Sequence, residues 1–151
     1  MTEVDRIVDQ LDRAFSGDAW HGDPLMTLLD GVTADQALQK PIREGHSIWE
    51  LTLHIGAWEN VVRRRISGEV LPDLPPEENW ETIYDTSPAG WAAALDRLRE
   101  RHEALRSAMH AFSDEQLNET VPAKDYSYYV LLHGVVQHTL YHAGQISLLR
   151  K

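Results

Sequence analysis

Cysteine is absent from the 151 residues of the chain, and long apolar runs are absent as well. Without cysteine there can be no disulfide, no thiolate metal site and no cysteine nucleophile, so any transition-metal site must use imidazole and oxygen ligands. No window approaches the eighteen apolar residues of a membrane span, and segment 1–15 is charged throughout, unlike a signal peptide. We therefore expect a single domain over residues 1–151 that stays in the cytoplasm.

Basic residues are also few. Lysine and arginine number 14 against 24 aspartates and glutamates, which gives a formal net charge of −10. A surface of this sign repels nucleic-acid phosphates and anionic lipid, so we expect neither nucleic acid nor a membrane as a partner. The one basic run, Arg63-Arg64-Arg65, lies at the end of a predicted helix. Cations there complement the helix dipole, and this role is favoured over a phosphate site.

Four long segments carry apolar residues at helical spacing, and no segment is a convincing strand. Ser47 with Glu50 has the capping-box form, and Ser87 followed by proline is a typical helix start. Short helical pieces are predicted at 25–29 and after Thr33. The four long helices are predicted at 3–15, 48–67, 88–111 and 127–150.

The connection over residues 68–86 contains three prolines, and an unstructured stretch of this length is unusual within a compact domain. It is therefore either a crossover or a functional loop. Four-helix bundles do use such crossovers. The sequence thus predicts an all-α protein, a four-helix bundle with a long crossover between its second and third long helices.

Histidine is abundant, with eight residues, and two of them share one face of the last predicted helix. His138 and His142 are four residues apart, which places their Cβ atoms about 6 Å from each other on a helix. Both fall in the apolar stripe that includes Val135 and Ile146. Two imidazoles in a core are costly unless their nitrogen atoms are satisfied, and a metal ion would satisfy them.

His54 is the candidate third ligand, because it borders the apolar stripe of the second long helix. If the second and fourth long helices run antiparallel, His54 lies level with the histidine pair to within about one turn, or about 5 Å. Three neutral imidazoles and a water form a site with an open position, as in catalytic metal sites. The spacing alone leaves the alternative open that these are three core histidines hydrogen-bonded to their neighbours.

The other five histidines are given different roles. His102 lies within the apolar seam of the third long helix and is interpreted as a satisfied core residue. His133 is rotated to the opposite face from the pair and is expected to be solvated. His46 and His110 lie at helix ends, and His21 lies in a loop where a surface role is favoured over the mouth of a site.

Other polar residues near the candidate ligands have two possible roles each. Glu50 lies one turn before His54 and could orient it, but the capping-box role needs no metal and is favoured. Gln145 and Tyr141 flank the histidine pair and could reach a metal-bound water or a substrate, although both residue types are common at core edges. Segment His138–His142 lacks the glutamate of H-E-x-x-H, which disfavours a zincin protease.

Two segments resemble the signature of the DinB-like superfamily, also called DinB/YfiT. They are SIWELTLHIGAWE at 47–59 and HGVVQHTLYHAGQI at 133–146, in the right order and at a fitting separation. The resemblance extends from about Trp20 to Lys151. It implies a four-helix bundle with a long crossover, and dimers are common among such proteins. It also implies one divalent metal ion, zinc or nickel, held by three histidines that map onto His54, His138 and His142.

Some relatives are enzymes that transfer low-molecular-weight thiols such as bacillithiol, or that isomerise substrates with mycothiol. The leading hypothesis is therefore a metal-dependent thiol S-transferase acting on small electrophiles, with a homodimer expected. The metal would lower the pKa of a small thiol, which is a cofactor because the chain has no cysteine. No basic cluster in the sequence is placed to hold the carboxylates of such a cofactor. A metal-dependent hydrolase with Glu50 as base, and a non-catalytic metal-binding stress protein, are the alternatives.

Overall fold

Seven α-helices account for the regular structure of the chain, which a computed structural model describes over residues 1–151. The prediction of an all-α protein is confirmed, since the only β pairing is an isolated bridge between Thr120 and Ser127. A 3-10 helix at Asp114–Gln116 precedes the last helix. The α-helices are α1 (Glu3–Phe15), α2 (Leu25–Leu29), α3 (Ala34–Leu38), α4 (Ile48–Ile66), α5 (Pro76–Asn79), α6 (Pro88–His110) and α7 (Tyr128–Leu149).

Hydroxyl side chains cap the starts of the four long helices, α1, α4, α6 and α7. Ser47 forms the predicted capping box with Glu50, and Thr2, Ser87 and Ser127 each accept a hydrogen bond from the first turn that follows. Each cap satisfies a backbone N–H that has no partner within its helix. The observed bounds of the long helices lie within a residue of the predicted ones for this reason.

No pattern in the sequence predicts α5, which lies inside the long connection. Pro75 precedes this helix and Pro76 is its first residue, a position that proline favours because its fixed φ suits the helix and no N–H is needed there. The helix has only four residues, so it shows no apolar periodicity. The connection is thus a crossover with a helical turn in its middle.

The four long helices form a bundle in which α4 packs against α6 and α7, and α1 packs against the same two helices. Trp49 contacts Trp91 and Glu59 contacts His102, so α4 and α6 run parallel. Arg65, near the end of α4, donates to the hydroxyl of a tyrosine just before α7, so α4 and α7 run antiparallel. The predicted bundle with a long crossover between the second and third long helices is confirmed.

The crossover must return along the length of α4, because α4 and α6 are parallel neighbours. The 19 residues of α4 span about 28 Å at 1.5 Å per residue. Glu81 holds the later part of the crossover against α6 through ion pairs with Arg97 and Arg101, both at 2.9 Å. Asn79 of the crossover accepts hydrogen bonds from His54 and Trp58 of α4, so the crossover also lies against α4.

The three arginines at the end of α4 do not share one role. Arg63 donates to Asn60, and Arg64 pairs with Glu69, so both remain near the helix end where cations stabilise the last carbonyls. Arg65 is buried, with 1% of its surface exposed. The prediction that the basic run serves to complement the helix dipole does not account for Arg65, because its guanidinium lies inside the protein and donates to carbonyl oxygens of the crossover.

Apolar side chains form two buried clusters, one at each end of the bundle. The first contains Trp49 and Ile55 of α4 with Ala143 and Ile146 of α7. The second contains Val62 of α4 with the first two turns of α7. No helix of the chain has the length and apolarity needed to cross a membrane.

Candidate metal centre

Three imidazoles from two antiparallel helices converge where α4 faces α7. His54 comes from α4, and His138 and His142 come from α7; their candidate ligand atoms all lie within 4.8 Å of one another. The Nε2 atoms of His54 and His138 are 3.1 Å apart. The predicted convergence of these residues is therefore observed, and the i,i+4 spacing on α7 places two of the rings side by side.

Burial keeps all three imidazoles neutral. Removal from water lowers the pKa of His54 to about 4. It also lowers the pKa of His138 to about 3, and the closeness of the other two rings contributes to that shift. Burial also lowers the pKa of His142. Neutral imidazole is the form that binds a metal ion, so the site is ready for a cation near neutral pH.

The crossover fixes the ring of His54. Its Nδ1–H donates to the main-chain carbonyl oxygen of Asn79, at 2.8 Å, because a carbonyl oxygen can only accept. The Nε2 atom of His54 therefore carries a lone pair directed at the other two rings. The indole of Trp80 stacks on His54 with ring centroids 3.8 Å apart and an interplanar angle of 1°. Asn79 and Trp80 thus orient and cover this histidine.

His142 is oriented from its own helix. Its Nδ1 lies 2.6 Å from the Oε1 atom of Gln145, three residues later, and donates to that oxygen. The Nε2 atom of His142 therefore also carries a lone pair. Histidines that bind metals commonly donate their second nitrogen in this way, which fixes the tautomer and the ring orientation.

His138 is the member of the cluster without a supporting hydrogen bond. Its Nδ1 is buried and has no partner, and its Nε2 points at the lone pair of His54. Two nitrogen atoms on one tetrahedral zinc ion, each about 2.05 Å from it, are separated by about 3.3 Å, close to the 3.1 Å observed between His54 and His138. The donor set therefore fits a divalent metal ion, with neutral nitrogen ligands and two fixed lone pairs.

The remaining histidines lie outside this cluster. His102 is buried against Phe15 and bonds to Glu59, so its interpretation as a satisfied core residue is confirmed. His133 is half-buried with an unpartnered Nε2, so the prediction that it is solvated is wrong. The other three histidines, His21, His46 and His110, are exposed as expected.

Glu50 does not orient His54. Its Oε2 atom accepts from the backbone N–H of Ser47 at 2.8 Å, and its Oε1 atom pairs with Lys40 at 2.7 Å. Burial raises the pKa of Glu50, but these partners outweigh it and the net shift is downward. The capping role is confirmed, and the orienting role belongs to Asn79 instead.

Tyr141 and Gln145 have different positions at the site. Tyr141 is 68% exposed, with its ring packed at 5.0 Å from the ring of His142. Gln145 accepts from His142 and so supports that ring. No aspartate or glutamate joins the three-histidine cluster.

A cavity of about 270 Å³ adjoins the cluster along the groove between α4 and α7. His138 lines it at one end, and Arg65 with Tyr126 lines it at the other. Its volume is near the lower end of the range for small-molecule sites. The histidine cluster therefore has an adjacent space in which a small molecule fits.

Three residues that shape the site have no signal in the sequence. Asn79 and Trp80 lie in the crossover, where there is no periodicity to place them. Trp58 belongs to the apolar stripe of α4, yet its Nε1–H donates to the Oδ1 atom of Asn79 at 2.9 Å. The two prolines that begin α5 are the one feature that could have located the turn that carries Asn79.

Comparison with known proteins gives one match. The family model described as the DinB superfamily matches residues 19–146, which include all three histidines and the crossover. No curated protein matches the chain, and no solved structure matches it.

Proposed function

This chain belongs to the DinB superfamily, and we propose that it is an enzyme that binds one divalent metal ion through His54, His138 and His142 and acts on a small molecule. The proposal depends on one observation: three neutral imidazoles meet with the lone pairs of two of them fixed by hydrogen bonds behind the rings. An ion held there would supply Lewis acidity, which lowers the pKa of a thiol or water that it binds. Three imidazoles suit zinc, nickel, copper and iron alike, and the family resemblance favours zinc or nickel.

We favour a thiol as the nucleophile over water. A hydrolase needs a general base near the metal, and the candidate base Glu50 is occupied by Ser47 and Lys40. A thiol of lowered pKa needs no such base, because it is already ionised near neutral pH. The chain has no cysteine, so the thiol is a separate small molecule. The function proposed is metal-dependent transfer of a low-molecular-weight thiol to an electrophile.

The residues of the chain have defined parts in this reaction. His54, His138 and His142 hold the ion, while Asn79 and Gln145 hold two of the rings in the tautomer that leaves Nε2 unprotonated. Trp80 covers one face of His54 and limits access of water from that side. The cavity beside His138 receives the organic part of the thiol or of the electrophile.

Metal content is the first test. Protein purified without an affinity tag should contain about one zinc or nickel ion per chain by elemental analysis. The variants His54→Ala, His138→Ala and His142→Ala should each lose the ion, and His21→Ala, at an exposed position, should keep it. A wild-type protein that stays metal-free after incubation with zinc and nickel salts would refute the metal site.

Turnover is the second test. Bacillithiol or mycothiol is incubated with a chlorinated nitroarene and the metal-loaded protein. Sulfur replaces chloride on the ring, a thioether forms, chloride leaves, and the thiol proton goes to solvent. Loss of free thiol should depend on the metal and vanish in His142→Ala. Thiol-independent hydrolysis of esters would favour the hydrolase, and a bound ion without any turnover would favour a non-catalytic role.

A further inference from the structure

Arg65 is a buried cation that forms no ion pair. It is 1% exposed, and its hydrogen bonds go to the hydroxyl of Tyr126 at 3.0 Å and to the carbonyl oxygens of Leu71 at 3.0 Å and Pro72 at 2.7 Å. All three acceptors are neutral. These bonds use three of the five N–H groups of the guanidinium, and Nε is buried without a partner.

The pKa of the Asp73 carboxyl is lowered mainly by Lys124 and also by Arg65, so Asp73 lies near Arg65, but it is not a buried counter-ion. Asp73 is 93% exposed and pairs with Lys124 at 2.6 Å. A guanidinium stays charged at any pH that a protein tolerates, and burying a charge without a counter-ion is costly. An anion bound beside the guanidinium would offset this cost.

The cavity beside the metal centre is the place for such an anion. Arg65 and Tyr126 line one end of it, and the side walls are apolar, formed by Trp58, Val62, Val130, Leu131 and Val135. The hydroxyl of Tyr126 accepts from Arg65, which leaves its own O–H free to donate. This end thus carries the positive charge of Arg65 and the free O–H donor of Tyr126, and the middle offers apolar contact.

The other end of the cavity is His138. Arg65 follows His54 by eleven residues on α4, which corresponds to about 16 Å along the helix axis. A ligand with its anionic group at Arg65 therefore has room for an apolar body of several bonds that extends toward His138. A free inorganic anion has the charge but no part that would fill the apolar middle.

We propose that the cavity binds a small monocarboxylate with an apolar body, its carboxylate at Arg65 and Tyr126 and its other end toward His138. Anion binding at Arg65 is independent of the metal. Only the orientation of the reacting end rests on the proposed function, since it is His138 and the ion that this end would meet. The substrate class would thus be a small amphiphilic acid.

Hexanoate and hexanamide are matched probes, because they share a chain and differ in charge. Isothermal titration of the full-length, metal-loaded protein at neutral pH should show hexanoate binding at least tenfold tighter than hexanamide and than inorganic phosphate. The preference should persist after the metal is removed with a chelator, because Arg65 and not the ion holds the carboxylate. No binding of hexanoate, equal affinities, tighter binding of phosphate, or loss of the preference with the metal would each overturn the proposal.

Two variants locate the site. Arg65→Met should abolish the preference for hexanoate. Gly134→Leu should block hexanoate without touching Arg65, because Gly134 lines the cavity and an added Cβ there meets no atom within 4 Å, so the longer side chain enters the open space. Gly144→Leu on the same helix is the matched control, since its Cβ is equally unobstructed and it does not line this cavity.

The outcomes separate this inference from the proposed function. If Arg65→Met does not fold, Gly134→Leu still decides the question, and unchanged hexanoate binding in Gly134→Leu would refute the cavity as the site. Metal content is measured in every sample. If the protein binds no metal but prefers hexanoate, the proposed metal centre is refuted and the anion site is supported. If it binds metal but does not bind hexanoate, the anion site is refuted and the metal centre is supported.

Discussion

The Nδ1–H of His54 donates to the main-chain carbonyl oxygen of Asn79, 25 residues later and in the middle of the crossover, at 2.8 Å. This bond joins the crossover to the candidate metal centre. The side chain of Asn79 is held in turn by the indole N–H of Trp58, at 2.9 Å, on the same helix as His54. The position of the Asn79 carbonyl therefore depends on the Asn79 side chain, which a substitution can remove.

Asn79→Ala tests this coupling. The variant keeps the carbonyl but removes its support from Trp58, so His54 should be oriented less firmly. Loss of such an outer hydrogen bond typically lowers metal affinity about 10- to 100-fold, and we expect a fall toward the lower figure because the carbonyl remains. Competition with a chromogenic chelator measures the affinity. Asn118→Ala, at an exposed position, is the control. Equal affinity in both variants would show that the crossover does not orient His54.

Metal removal should lower the thermal stability of the protein. An ion present at about 100 times its dissociation constant stabilises the folded state by about 2.7 kcal/mol. For a protein of this length the gain corresponds to a rise in Tm of about 5 to 10 °C. Scanning calorimetry with added zinc, and again with a chelator, should show this difference for the wild type and none for His142→Ala. A shift of the same size in His142→Ala would place the ion elsewhere.

Metal-free protein should lose stability in mild acid. The pKa of His54 is about 4 in the folded state and about 6.5 as its ordinary value, and that of His138 is about 3. Between these values the unfolded chain binds more protons than the folded one, so the free energy of unfolding rises with pH and falls as acid is added. This stability is fully present above pH 6.5 and is lost as the pH falls through the folded-state values.

His54→Gln measures the share of one histidine in that slope. A single buried group contributes up to about 1.4 kcal/mol per pH unit in its window. Urea unfolding of metal-free protein at several pH values between 6.5 and 4 should give a slope for His54→Gln that is smaller by up to this amount. His21→Gln should keep the slope of the wild type. Parallel slopes in all three proteins would contradict the burial argument for His54.

The long helices were predictable because their signals are local. Ser47 with Glu50 and Ser87 before a proline mark helix starts within four residues, and apolar spacing marks the buried faces. The histidine triad was predictable in part, since His138 and His142 share a face through helical spacing alone. Placing His54 beside them required the assumption that the second and fourth long helices run antiparallel, and α4 and α7 do so.

The rest of the site depends on contacts that no local pattern encodes. Asn79 and Trp80 act through their place in the crossover, which tertiary packing lays across α4. Arg65 belongs to a basic run that is typical of a helix end, and its burial follows only from the way the crossover leaves α4. His133 lies on the face of α7 that its spacing predicts, away from the histidine pair, but the ring of Tyr129 packs against it and partly covers it.

The buried carboxyl of Glu59 gives the last prediction, away from the metal centre. Glu59 is 0% exposed, its Oε1 lies 3.2 Å from Nδ1 of His102, and its Oε2 has no partner. Burial raises the pKa of Glu59 above its ordinary value of 4.5, although the contact with His102 opposes this. The folded state therefore binds more protons than the unfolded state in a window above pH 4.5, and this group's contribution to stability is lost as the pH rises through the folded-state pKa.

Glu59→Gln should remove that pH dependence, because an amide of the same shape does not ionise. The free energy of unfolding of the variant minus that of the wild type should increase steadily as the pH rises from 4.5 through the raised pKa, because only the wild type loses stability there. Its absolute value also includes a cost of about 1 to 3 kcal/mol if the new amide N–H groups find no acceptor where Oε2 has no partner. The slope is therefore the informative quantity, and urea titrations at several pH values measure it. Glu100→Gln on the exposed face of α6 should run parallel to the wild type. A Glu59→Gln curve that also runs parallel would contradict the prediction, because it would mean that the carboxyl ionises in the folded protein as readily as in the unfolded chain.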